Sequence, residues 1–90
     1  MSSLEELKQK RIDLIGFDPE NEKECLAAVK ENGLALQFVI NQTPEICFEA
    51  VKENWSAFKH VKEQTPEICK EAVKQEEFCL VYVKDLSMLL

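Results

Sequence analysis

Apolar positions in this chain come in short bursts separated by polar turns, and the bursts repeat. Three consecutive windows, NEKECLAAVKENGLALQFVINQ (21–42), TPEICFEAVKENWSAFKHVKEQ (43–64) and TPEICKEAVKQEEFCLVYVKDL (65–86), align without a gap at a period of 22 residues. Cys25, Cys47 and Cys69 coincide, as do Ala28, Ala50 and Ala72, Val29, Val51 and Val73, and Val39, Val61 and Val83. A period of this length marks a repeat architecture, in which each unit buries its apolar stripe against the next. Within a unit, Ile46, Cys47, Ala50 and Val51 fall at i, i+1, i+4 and i+5, which is one face of a helix. A second, shorter stripe follows, as in Ala35, Leu36 and Val39 or Ala57, Phe58 and Val61. Each unit therefore reads as two short helices, too short to be stable alone and dependent on stacking.

The punctuation agrees with that reading. In Thr43-Pro44 and Thr65-Pro66 the threonine hydroxyl can cap free N–H groups, and proline suits the first helical position. Glu45 and Glu67 then sit in the first turn, at the positive end of the helix dipole. Asn32-Gly33 reads as a stop, because both residues tolerate the left-handed conformation that ends helices, and Asn54 holds the same place one unit on. The predicted fold is all-α: one domain over residues 1–90, built from tandem helix-turn-helix hairpins in a small helical solenoid or bundle. Residues 1–20 are expected to form a divergent capping unit, since Leu4 and Leu7 fall at the places of Leu26 and Val29, and Leu14 and Phe17 at those of Leu36 and Val39. The stretch 78–83 is apolar on all sides and strand-like in composition, but its register with 34–39 and 56–61 assigns it to a helix. Residues 87–90 form an apolar tail in which Ser87 aligns with Thr43 and Thr65, like the start of a further unit.

The block ECLAAVKENGLALQFV, followed by NQTPEICFEAVKEN, resembles the bacterial and viral repeats grouped as domain-of-unknown-function family 4116, which run as AVK-x-NG-x-AL followed by a polar turn and another helix. The likeness covers about residues 21–86 and departs in the third unit, where Gln75-Glu76-Glu77 replaces the Asn-Gly turn. What the resemblance implies is an all-helical repeat fold. It implies nothing about activity.

Composition narrows the function classes. The 17 Asp and Glu against 11 Lys and Arg leave a net charge of -6, the wrong sign for a protein that displaces counterions from a phosphate backbone, so no direct nucleic-acid contact is expected. Apolar runs are only a few residues long, far short of the ~20 needed to span a bilayer. The start MSSLEELKQKR has neither an apolar core nor a small-residue cleavage site, and a soluble, cytoplasmic protein is expected. The cysteines lack the close paired spacing of zinc sites, and their repeat register makes them core residues rather than metal ligands or disulfide partners. His60 falls at the place of Phe38 and Tyr82, so it belongs to an aromatic ladder and not to a catalytic pair. With no converging acid, base and electrophile, the chain reads as a non-enzyme with no cofactor and no metal. Lys30, Lys52 and Lys74 form a row that Glu49 and Glu71, three residues upstream of Lys52 and Lys74, are expected to compensate.

The function this pattern points to is a non-catalytic protein-protein interaction module. Candidate partner-binding residues are the rings Phe38, Trp55, His60 and Tyr82, with the carboxylates Glu45, Glu67, Glu76 and Glu77 suiting a partner with a basic surface. The alternative is a small acidic inhibitor, of phage anti-CRISPR or anti-defence type, that occludes a nucleic-acid-handling host protein. The uncapped apolar C-terminal end also predicts a homodimer through the last helix, with Phe78, Val81, Tyr82, Met88, Leu89 and Leu90 as its candidate interface.

Overall fold

A computed structural model describes residues 3–90, which form four α-helices and four 3-10 helices and contain no strand. Helix α1 covers Ser3–Ile15, α2 Glu22–Glu31, α3 Pro44–Glu53 and α4 Pro66–Gln75. Each of α2, α3 and α4 is followed by a 3-10 helix, Gly33–Phe38, Trp55–His60 and Glu77–Tyr82 respectively, and a last 3-10 turn covers Leu86–Leu89. The elements recur in the 22-residue register of the sequence, and α2 packs on α3 and α3 on α4. Their buried faces merge into one core that runs from Phe17 through Val29, Leu36, Val51 and Phe58 to Cys79.

The helix starts form as the punctuation predicts. Thr43 Oγ1 accepts the Ile46 N–H at 3.1 Å and Thr65 Oγ1 the Ile68 N–H at 3.3 Å, each with proline next in line. Asn21 Oδ1 does the same for Glu24 at 3.0 Å in the first unit. The helix ends form differently. Asn32 and Asn54 are extended rather than left-handed, with φ of -149° and -152°. Each closes the α-helix with its own N–H and opens the 3-10 helix with its side chain: Asn32 Oδ1 accepts from Leu34 at 3.0 Å and Asn54 Oδ1 from Ser56 at 2.9 Å. Glu76 takes the same place in the third unit and accepts from Phe78 at 3.3 Å, so the loss of the Asn-Gly pair leaves the turn intact. An acceptor side chain is what the position requires, and a carboxylate supplies one.

Gly33 is needed for space and not for a left-handed turn. A Cβ at Gly33 would run into the Ala50 carbonyl oxygen and crowd Asn54 on the next helix. Trp55 and Glu77 stand at the equivalent places further on, so this close backbone approach belongs to the first junction. The second element of each unit also differs from expectation in kind. It is a six-residue 3-10 helix, pinned at its start by the capping side chain and at its end by i→i+3 bonds such as Val39 N–H to the Leu36 carbonyl at 3.0 Å. The apolar stretch around Phe78–Val83 takes this form as well, as its register requires.

The N-terminal segment departs most from the repeat. Lys10 stands where Asn32, Asn54 and Glu76 stand, and it has no acceptor to open a 3-10 helix. The α-helix therefore runs on to Ile15 and stops at Gly16, whose φ is +87° and whose N–H bonds the Ile12 carbonyl at 2.8 Å. Leu14 is consequently 85% exposed although its counterpart Leu36 is wholly buried, and α1 buries none of its residues. Phe17 alone keeps the register, buried like Val39. Capping of the first unit falls to residues 15–20: the Pro19 carbonyl accepts from Ile40 at 3.0 Å, and the Asp18 N–H donates to Glu24 at 3.0 Å.

The other end is partly closed by its own tail. Met88 and Leu89 are half-buried against the core, and the Cys69 thiol approaches Met88 Sδ at 3.8 Å. Closure is incomplete, since Leu80 is 38% exposed where Leu36 and Phe58 are fully covered by a following unit. Among the described residues, no helix is long and apolar enough to cross a membrane.

Candidate functional site

One residue type that carries no apolar signal sets the 3-10 helices side by side. Gln42 reaches from the end of the first unit to the backbone of the second: its Nε2 donates to the His60 carbonyl at 2.8 Å and its Oε1 accepts the Lys62 N–H at 2.9 Å. Gln64 repeats the clamp on the third unit, donating to the Tyr82 carbonyl at 2.6 Å and accepting from Lys84 at 2.9 Å. The repeat cysteines support it, with the Cys47 thiol donating to Gln42 Oε1 at 3.2 Å and the Cys69 thiol directed at Gln64 Oε1 at 3.7 Å. Sequence reasoning passed over these glutamines, although the recurrence of Gln-Thr-Pro at 42–44 and 64–66 was the available signal.

Held in this way, the second and third 3-10 helices enclose a cleft of about 130 Å³. Trp55, Ser56 and Lys59 line one side, and Phe78 and Tyr82 the other. The Phe78 and Tyr82 rings meet edge to face, with centroids 6.1 Å apart and planes at 74°, an arrangement that favours ring contact. A volume of this order holds one benzene-sized group. Val81, on the same segment, is 66% exposed and Phe78 58%, so the cleft lies in an apolar patch. Lys59 sets a cation at its edge and Ser56 a hydroxyl.

The predicted partner-binding residues separate into two groups. Trp55 and Tyr82 come together in the cleft, joined by Phe78, while Phe38 is exposed at the end of the first 3-10 helix and lines no part of it. His60 is half-buried, and its ring is held below the ordinary histidine range by that burial and by Lys59. Glu45 and Glu67 are exposed on the first turns of α3 and α4, away from the cleft lining. Glu76 is taken up as a cap, and Glu77 is exposed beside it. Of the predicted dimer residues, Phe78, Val81, Tyr82 and Leu90 are exposed, whereas Met88 and Leu89 are half-buried against their own core.

The charged face also differs from the expected pattern. Among the described residues, Lys8–Glu20 at 3.7 Å is the one ion pair. Glu49 and Glu71 do not pair with Lys52 and Lys74 within 4.0 Å; Glu71 instead accepts from Gln75 at 2.7 Å. The carboxylates thus leave a net negative surface uncompensated.

All four cysteines are buried and free. Burial raises each thiol, Cys47 to about 11 against the opposing pull of Lys62, and the charges of Asp18 and Glu24 add to the rise at Cys25. Such thiols are protonated at neutral pH and poor nucleophiles. No group of three or more His, Cys, Asp or Glu among the described residues is placed to hold a metal ion.

No curated protein and no solved structure matches the chain. A family model matches residues 21–65, half of the chain, from the Asn21 cap through the Gln42 clamp and the Gly33 close approach to Thr65. The chain therefore belongs to the family described as domain of unknown function (DUF4116).

Proposed function

We propose that the chain is a cytoplasmic, non-catalytic protein-interaction module whose partner seats an apolar side chain in the cleft of Trp55, Phe78 and Tyr82. The observation that carries this reading is the exposure of Phe78, Val81 and Tyr82 beside a ring-lined cleft between the second and third 3-10 helices. Aromatic residues gathered at a concave site are the usual anchors of protein interfaces, and an apolar patch rimmed by polar groups marks a docking face. The raised thiols support a non-catalytic role, because they are held away from nucleophilic chemistry. The test is affinity capture with the wild type and with a Phe78→Ser, Val81→Ser variant. A partner held by the wild type should be lost from the variant at unchanged melting temperature. A variant that captures the same partner equally well would remove the cleft from the interface.

A second reading, a small acidic inhibitor of phage anti-CRISPR or anti-defence type that occludes a nucleic-acid-handling protein, draws on the net charge of -6 and the scarcity of ion pairs. Contacts of that kind weaken steeply with salt, whereas cleft docking does not. Capture at low and high ionic strength therefore separates the two.

A further inference from the structure

The first of the three repeat units has an open face. In the second and third units the positions that face the preceding unit, Ile46 and Ala50, then Ile68 and Ala72, are fully buried. The last side chain of the helix also reaches back across each junction: Glu53 accepts the Gly33 N–H, and Gln75 donates to the Val51 carbonyl at 3.0 Å. In the first unit the corresponding residues are Glu24, Ala28 and Glu31. They face a groove of about 490 Å³ with Ala27, Ala28 and Ala35 as its floor, Phe17 in its wall and Glu24 and Glu31 at its rim. The Glu31 side chain makes no hydrogen bond or ion pair to any described residue.

The same chain carries a helix, α1, whose leucine stripe covers nothing, although Ile15 at its end packs on the core and Lys8 pairs with Glu20. Leu4, Leu7, Arg11 and Leu14 share one face of α1, with Lys8 at its edge, and the three leucines are exposed. We propose that the groove receives α1 of a second copy, reciprocally, in a two-fold dimer. The groove continues the interface that the units already make with one another, and its alanine floor admits leucine side chains at close helix approach. The charges are complementary, since Arg11 on the helix, which makes no ion pair among the described residues, meets Glu31 on the rim. The chain's own α1 does not serve, because it leaves from the groove's edge at Ile15 and Gly16, with Phe17 and Pro19 buried immediately after. Exchange of one helix between two copies satisfies both surfaces.

Sedimentation and light scattering of the full chain at ~0.1 mM, a concentration that saturates an interface of micromolar strength, test this. The wild type should have a dimer mass. Leu7→Ser with Leu14→Ser on the helix, and Ala28→Arg in the groove, should each give a monomer with unchanged circular dichroism and melting at low concentration. Arg11→Glu and Glu31→Arg should each weaken the dimer, and the two combined in one chain should restore it. A wild type that is monomeric throughout would overturn the proposal. So would a dimer lost with the leucine changes but indifferent to Ala28→Arg, which is the signature of α1 pairing with α1.

Discussion

The carboxamide of Gln42 lies against the peptide of His60, one unit further along the chain, donating to its carbonyl at 2.8 Å. Its oxygen accepts from Lys62 at the same time, so one side chain satisfies a donor and an acceptor where a 3-10 helix ends and no backbone partner exists. Gln42→Ala leaves both groups to solvent in a half-buried junction. The expected loss is about 1 to 2 kcal/mol, and urea unfolding measures it. Gln64→Ala should act in the same direction, and a null effect at both sites would show that water replaces the clamp at no cost.

Gly33→Ala puts a methyl group against the Ala50 carbonyl. Overpacking against backbone typically costs about 1 to 3 kcal/mol, so the melting temperature should fall although alanine is the better helix former. Trp55→Ala serves as the control at the equivalent place, where removing a half-buried ring should not produce strain.

Leu14→Ser and Val51→Asp should behave oppositely. Leu14 is exposed on α1 and supports no core, so in dilute solution its replacement should leave stability within about 0.5 kcal/mol. Val51, on α3, is wholly buried. An unpaired carboxylate there costs several kcal/mol against a typical total of about 5 to 15, and the domain should unfold. Ala50→Asp should do the same.

The thiols predict an alkaline limit. Their folded pKa values are raised above the ordinary 9.0, that of Cys47 to about 11. An acid held neutral by the fold ionises first in the unfolded chain. The contribution is therefore complete below pH 9 and is lost as the pH rises toward 11. Melting temperature should decline across that window, and Cys47→Ala should flatten the decline. Thiol titration at pH 8 should find slow reaction in the native protein and four reactive groups in denaturant.

Much of this architecture is legible in the chain. The period, the Thr-Pro caps and the buried faces follow from local rules: a helix start needs an acceptor at its cap, and a buried face needs apolar residues at helical spacing. The segment 78–83, ambiguous by composition, is placed in a helix by its register, and residues 78–82 do lie in the 3-10 helix Glu77–Tyr82. Tertiary structure decided what depends on contact between distant residues. Gly33 appears as a turn former in sequence and as a space requirement only once Ala50 lies against it. Glu71 took Gln75 as its partner in place of Lys74, and the aromatic ladder divided when only Trp55 and Tyr82, with Phe78, met in one cleft. Gln42 has no hydrophobic periodicity to reveal it, because its role is to satisfy backbone groups that become neighbours after the units stack. The fate of α1 turned on the absence of a cap at Lys10: periodicity placed Leu14 in the core, but the helix had no reason to break, and its continuation carried that leucine into solvent. Local sequence thus determined the elements and their order, while the packing of one unit on the next determined which of their side chains are buried and which remain exposed.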